Sequence, residues 1–190
     1  MKKAGLIIGV LILLSACFGG YSPNSNFYRL PAMGEVKQVF ASKQNIAVLK
    51  VGLPEYLDRP QMVLLDEKSP QMEIAEFHRW GEDLGVMIQR KVAADLGDYL
   101  PQAKVVVEQE EVQHANLDVK IEILRMDMMK QNEVILQAKW YIENAQGRVL
   151  ANAQFYQTQK VRLSYDNYAL AVARLLEEMN EQIAQAIAKI

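Results

Sequence analysis

Residues 117–123 are Leu117-Asp118-Val119-Lys120-Ile121-Glu122-Ile123, a strict alternation of apolar and charged side chains. Successive side chains of a strand point to opposite faces, so this period predicts a strand with one buried face and one wet face. Sheets with a single wet face are typical of antiparallel rather than all-parallel architectures. The stretch therefore favours a largely antiparallel sheet that is covered on one side.

Shorter apolar or alternating segments on both sides of this stretch add strands to the same sheet. They are 27–30, 46–51, 62–65, 72–77, 104–107, 133–143 and 148–157. Turn-forming residues separate two pairs of these segments: Ser69-Pro70 lies between the third and fourth, and 144–147 lies between the last two. Two hairpins are therefore predicted.

Two amphipathic helices are predicted as well. Over 82–99, apolar residues recur every three or four positions, and Pro101 prevents the helix from continuing. Over 166–189, a second stripe contains Leu175, Leu176, Met179, Ile183 and Ile187. Two helices on a mostly antiparallel sheet predict an α+β fold, a two-layer domain with both helices packed against the sheet.

The first sixteen residues have the build of a secretory signal peptide. Lys2 and Lys3 precede an uncharged, mostly apolar run over 4–14, and small residues follow it. This run is shorter than the roughly 18 apolar residues that span a bilayer. Leu14-Ser15-Ala16-Cys17 resembles the bacterial lipobox, which predicts cleavage before Cys17 and its modification with diacylglycerol and an N-acyl chain such as palmitate. An ordinary signal peptide with an incidental thiol is the alternative.

The rest of the chain is predicted to be a tether and one domain. Cys17 is the only cysteine, so the folded part has no internal disulfide. Residues 17–26 are dense in Gly, Ser, Asn and Pro and predict a flexible tether, which leaves 27–190 as one folded domain. Phe18 follows the cysteine; an acidic residue there tends to retain enteric lipoproteins at the inner membrane, so Phe18 favours the outer membrane.

Composition and motifs argue against catalysis and nucleic-acid binding. The chain has 21 basic and 23 acidic residues, without a basic cluster. Its glycines form no phosphate-binding loop, and His78 and His114 stand alone. Met126, Met128 and Met129 are interpreted as core residues rather than as a soft-metal site. We therefore expect no enzyme activity, no catalytic residue, no metal and no cofactor other than the lipid on Cys17.

One non-periodic segment is a candidate for partner binding. It reads Leu53-Pro54-Glu55-Tyr56-Leu57-Asp58-Arg59-Pro60, and Arg79-Trp80 follows just before the first helix. Prolines stiffen a loop, and Tyr and Arg are frequent at binding hot spots. One interpretation assigns partner contacts to Leu53, Tyr56, Leu57 and Arg59. The other is a loop held for folding, with Tyr56 packed inward and Arg59 paired with a local acid. Structural roles are predicted for Pro54, Pro60, Arg79 and Trp80.

This segment and Arg79-Trp80, together with Phe27-Tyr28-Arg29-Leu30, resemble the PqiC/YmbA family of ABC-type transport auxiliary lipoproteins. The resemblance covers nearly the whole mature chain in order. One departure is Gly81-Glu82-Asp83-Leu84, which lacks the proline of the family's acidic-Pro-Leu stretch.

The resemblance implies an outer-membrane lipoprotein that faces the periplasm and docks an MCE-domain protein, a tunnel for lipid between the two membranes. It also implies a contribution to envelope integrity. Self-association into a homo-oligomeric ring would suit a tunnel with rotational symmetry. The alternatives are a periplasmic lipid-binding carrier and a passive envelope lipoprotein with an unrelated partner.

Overall fold

The computed structural model describes residues 23–34, 38–107 and 114–190. Cys17, the predicted signal peptide 1–16 and the predicted tether up to residue 22 lie outside these residues. Within the described chain, eight strands and two helices follow one another in the order β1 Asn26–Tyr28, β2 Asn45–Val48, β3 Gln61–Asp66, β4 Ser69–Trp80, α1 Leu84–Tyr99, β5 Lys104–Val106, β6 Leu117–Met129, β7 Glu133–Asn144, β8 Val149–Lys160 and α2 Tyr165–Ile187.

The eight strands form one mixed sheet organised around β6. β6, β7 and β8 make a long antiparallel meander, and β3 and β4 make an antiparallel hairpin. The short pairings are parallel: β1 with β4, β2 with β5, and β6 with both β2 and β3. The predicted α+β fold class is confirmed, with its long pairings antiparallel and its short ones parallel.

Both helices lie on the same face of the sheet and contact each other there. On β7, the buried residues facing the helices are Val134, Leu136, Ala138, Trp140 and Ile142. The residues between them, such as Gln137 and Lys139, are half-buried on the opposite face. The sheet therefore has the covered face and the wetter face that its period-two pattern predicts. Among the described helices, none is long and apolar enough to cross a bilayer.

Polar caps fix where the two helices begin. The side chain of Asp83 accepts a hydrogen bond from the backbone N–H of Val86, so α1 begins at Leu84 rather than at the predicted residue 82. Ser164 caps α2 by accepting from the N–H of Asn167, and Asp166 in the first turn suits the helix dipole. Both predicted helices are confirmed, with ends within two residues of those observed.

Two strand predictions need correction. The β3–β4 turn lies at Glu67-Lys68, not at Ser69-Pro70, because the Asp66 carboxylate accepts from the N–H of Lys68 and closes the turn earlier. Pro70 is tolerated in β4 because β1 pairs only with the far end of that strand. β6 continues past Ile123 to Met129, because a bulge between Ile123 and Arg125 interrupts the alternation without ending the strand.

Candidate functional site: a groove beside the Leu53–Pro60 segment

The Leu53–Pro60 segment fills a gap in the sheet beside β6. β2 pairs with the first residues of β6 and β3 with its last residues, so the middle of this edge has no strand neighbour. Gly52 covers the start of the gap: its N–H donates to the carbonyl of Ile121, and its carbonyl accepts from the N–H of Ile123, each at 2.9 Å. After Gly52 the backbone leaves the edge of β6, and side chains form the next hydrogen bonds to this edge.

Two tyrosine hydroxyls satisfy the backbone of Met126 inside this gap. The hydroxyl of Tyr56 accepts from the Met126 N–H at 3.4 Å, and the hydroxyl of Tyr168, on α2, donates to the Met126 carbonyl at 2.8 Å. The N–H and C=O of one strand residue point to the same side, so both hydroxyls stand where a neighbouring strand would be. Tyr56 and Tyr168 thus replace missing ladder bonds.

Tyr56 is also bonded to a buried carboxylate. Its hydroxyl donates to Oδ1 of Asp127 at 2.5 Å, while Nε of Arg125 donates to Oδ2 of Asp127 at 2.7 Å. The side chain of Asp127 is only 2% exposed, and a buried charge requires such partners. Burial, followed by the bond to Asp127, raises the pKa of Tyr56 well above its ordinary value, and burial does the same for Tyr168. Both phenols stay protonated and remain donors.

The remainder of the segment is held by a turn and by the core. The carbonyl of Pro54 accepts from the N–H groups of Leu57 and Asp58. Leu57 is buried within the main core, and Leu53 is half-buried against it. These placements match the folding interpretation for Tyr56 and Leu57. Neither side chain is free on the surface.

A groove of about 440 Å³ opens beside the segment, at the start of α1. It is lined by Phe27, Asp58, Arg59, Pro60, Trp80, Gly81, Glu82, Asp83 and Leu84. The carbonyl of Pro60 accepts from the N–H of Trp80 at 2.7 Å, and Gln61 is registered with Arg79. These contacts bring the Leu53–Pro60 segment and Arg79-Trp80 together. Arg59, Pro60 and Trp80 therefore lie on one surface.

Arg59 is the candidate contact that faces this groove. Its Nε is buried and lacks a hydrogen-bond partner among the described residues. It is also absent from the ion pairs formed within the described chain, so the local acid expected in the folding interpretation is not found there. A buried donor without a partner costs free energy. A bound acceptor would recover that cost.

Trp80 and Arg79, adjacent on β4, point to opposite faces of the sheet. Trp80 is buried, and its ring packs against Tyr168 with centroids 5.7 Å apart. Arg79 donates from Nε to the carbonyl of Glu76 at 3.0 Å, on the face away from the helices. Next to Trp80, His78 stacks on Tyr165 at 3.8 Å and shares a hydrogen bond with the hydroxyl of Tyr28.

Sequence reasoning missed Phe27, Asp127 and Tyr168 as parts of this region. Asp127 was detectable, because a lone carboxylate inside the apolar run 123–129 signals a buried, partnered charge. Phe27 and Tyr168 gave no such signal. The strand pattern accounts for an aromatic residue at Phe27 and the helix pattern for one at Tyr168, so neither residue suggested a binding site.

Metal binding and lipid carriage find little support among the described residues. No group of three His, Cys, Asp or Glu side chains comes together to hold a metal ion within the described ranges. The space between sheet and helices is filled by buried side chains, including Ile88, Leu136, Ile142 and Leu175. A filled interior favours a closed core over a lipid-carrying cavity.

The domain is a two-layer α+β fold with an open groove lined in part by Phe27 and Trp80. The model of the family described as "ABC-type transport auxiliary lipoprotein component" matches residues 28–184, and the chain belongs to this family. The family is defined by transport and not by an enzymatic reaction.

Solved structures share the fold. A crystal structure of an uncharacterized protein is 18% identical, with a TM-score of 0.71, and the alignment covers 87% of this chain and 99% of that one. Protein XCC0632 from Xanthomonas campestris, of the DUF330 family, is 11% identical with a TM-score of 0.69, covering 86% and 96%. No match was found among curated proteins. At such identities these structures show the fold alone.

Proposed function

We propose that the protein is an outer-membrane lipoprotein that docks an MCE-domain tunnel protein of an ABC-type lipid transport system at the periplasmic face. Acyl chains on Cys17 anchor the mature chain, 17–26 is the tether, and the 27–190 domain binds the partner. In this role the protein contributes to envelope integrity. Family membership supports the transport role, and Phe18 together with the family resemblance supports the outer membrane.

The groove beside Arg59 is the observation that carries the docking role. An arginine with an unpartnered buried Nε stands there next to the strongly exposed ring of Phe27. Arg and aromatic side chains that a partner shields from water on binding are frequent at the centre of a hot spot. The groove suits a partner segment with an apolar side chain for Phe27 and Leu84 and an acceptor for Arg59.

The other candidate residues would act by positioning Arg59. Leu57 is buried two residues before it, and the N–H of Arg59 donates to the Leu57 carbonyl at 2.8 Å. Tyr56 ties the same turn to Asp127, and Leu53 packs beneath it. A turn held in this way reduces the entropy lost when Arg59 binds a partner.

Self-association into a ring forms part of this proposal. β8 pairs with β7 on one side only among the described strands, so its other edge is open over twelve residues. Lys160 is the only charged residue of this strand, and no proline interrupts it. Open, uncharged edges of this length pair readily with strands from other chains. β8 is therefore the surface that we favour for contacts between copies.

Capture of the partner from the native envelope tests the docking role. The full-length protein is isolated in mild detergent after crosslinking, and bound proteins are identified by mass spectrometry. We expect an MCE-domain protein with the wild type and with Arg148→Ala, an exposed arginine in the β7–β8 turn, and a strong loss with Arg59→Ala. Equal recovery with Arg59→Ala would remove the groove from the interface, and no MCE-domain protein with any form would refute the docking role.

The anchor is tested separately by mass spectrometry of the mature N-terminus and by fractionation of the two membranes. We expect a triacylated Cys17 in the outer-membrane fraction, and a Cys17→Ser chain that is not acylated and not retained there. An unmodified Cys17 would contradict the anchor. Acylated protein found in the inner membrane would contradict only the location.

A further inference from the structure

Four apolar side chains form an exposed strip on the face of the sheet that the helices leave uncovered. The strip consists of Phe27 on β1 and Met72, Ile74 and Phe77 on β4, with exposed fractions of 68%, 52%, 40% and 41%. Large apolar side chains grouped on a surface mark a site of interaction. Single exposed residues would need no such explanation.

Neighbouring contacts show that Phe27, Phe77 and Ile74 share one face. Tyr28 and His78 contact Tyr165 of α2, so the residues next to them, Phe27 and Phe77, point away from the helices. Ala75 belongs to the core, which turns Ile74 away from it, and Ile74 is registered with Val63. Met72, also exposed, lies two residues before Ile74, where the β3–β4 pairing is irregular, and extends the strip along β4.

The chain enters the domain from the same direction. β1 runs parallel to β4, with Asn26 beside His78, so residues before Asn26 leave the sheet toward Phe77 and the earlier part of β4. Cys17 precedes Asn26 by about nine residues, which extend at most roughly 30 Å. A lipid on Cys17 therefore keeps this end of the sheet close to the bilayer.

We propose that the strip rests on the phospholipid surface that holds the anchor, with Ile74 and Phe77 in the boundary between headgroups and acyl chains and Phe27, at the end of the strip, left to the partner in the groove. This inference rests on the proposed acylation of Cys17. Arg79 is registered with Phe27 on the same face, where its guanidinium lies 4.0 Å from the Glu76 carboxylate and is partly exposed. A second apolar contact next to a lipid anchor holds a domain in one orientation on the membrane.

Spin labels placed in the strip of the full-length protein test this contact. Ile74→Cys and Phe77→Cys are labelled with a nitroxide and reconstituted into vesicles of phosphatidylethanolamine and phosphatidylglycerol. Arg174→Cys, an exposed position on α2 on the opposite side of the domain, is the matched control. Collisions are measured with oxygen, which concentrates in hydrocarbon, and with a water-soluble nickel chelate.

We expect the ratio of oxygen to nickel collisions to rise several-fold at positions 74 and 77 on reconstitution and to stay unchanged at 174. Equal ratios at all three positions would overturn the contact and leave the strip to a protein partner. The number of labels per chain separates the two proposals, because an acylated Cys17 leaves one reactive thiol. Two labels per chain would mean that the anchor fails, and the membrane contact would fail with it.

Discussion

Removal of one hydroxyl, in Tyr56→Phe, tests how the Leu53–Pro60 segment is held in the gap beside β6. The hydroxyl donates at 2.5 Å to Asp127, whose carboxylate is buried. Hydrogen bonds to charged groups contribute about 1.5–3 kcal/mol. The contact with the Met126 N–H is long, at 3.4 Å, and adds little. We expect the free energy of unfolding to fall by about 2 kcal/mol, because the ring stays in place and only the bond is lost.

Urea unfolding of the full-length protein in mild detergent, followed by circular dichroism, measures this loss. Tyr141→Phe, a half-buried tyrosine on the uncovered face of β7, serves as the control and should change stability by less than about 0.5 kcal/mol. A double-mutant cycle with Asp127→Ala, which removes the acceptor that an asparagine would keep, isolates the bond itself. We expect a coupling free energy of about 1.5 kcal/mol or more between the two positions.

Additivity would refute this reasoning. If Tyr56→Phe and Asp127→Ala combine without coupling, within about 0.3–0.5 kcal/mol, the hydroxyl does not depend on that carboxylate. The segment would then be held by Leu57 and the Pro54 turn alone.

Two further perturbations probe the core and the pH dependence. Lys91→Met removes the ammonium 3.0 Å from the buried carboxylate of Asp95, whose pKa burial already raises, and we expect a loss of about 3 kcal/mol at neutral pH. That loss should shrink toward about pH 4, where a protonated Asp95 needs no cation, and urea unfolding at both pH values checks it. Burial raises the pKa of Tyr99 to about 12, so the unfolded chain releases this proton first and stability should fall as pH rises above about 10. In Tyr99→Phe the slope of the unfolding free energy against pH should be smaller by about 1.4 kcal/mol per pH unit. An unchanged slope, measured by urea unfolding above about pH 10, would contradict the raised pKa of Tyr99.

Local patterns predicted the elements of this fold well. Each of these elements buries one face. Buried residues therefore recur every second position over 117–123 and every third or fourth position in α1 and α2. The second half of β6 escaped prediction because the bulge near Arg125 shifts the alternation. The parallel pairings of β1, β2 and β3 were not predictable, since they join strands through long connections that leave no local pattern.

The site was only partly visible in the sequence. The Leu53–Pro60 segment was identified from its prolines, Tyr56 and Arg59, but the direction in which each side chain points depends on partners far along the chain. Tyr56 is hydrogen-bonded to Asp127, 71 positions away, and no pattern of sequence spacing predicts a contact at that separation. Arg59 reaches the groove because the β3–β4 pairing brings Trp80 beside Pro60.

A photocrosslinker in the groove tests the central claim most directly. A benzophenone amino acid replaces Glu82, an exposed residue of the groove wall, in the full-length protein within its native cells, and Arg174, an exposed residue of α2 outside the groove lining, is replaced as the control. We predict a light-dependent adduct with an MCE-domain protein from position 82 and none from position 174. The absence of that adduct from position 82, or equal adducts from both positions, would contradict docking through the groove.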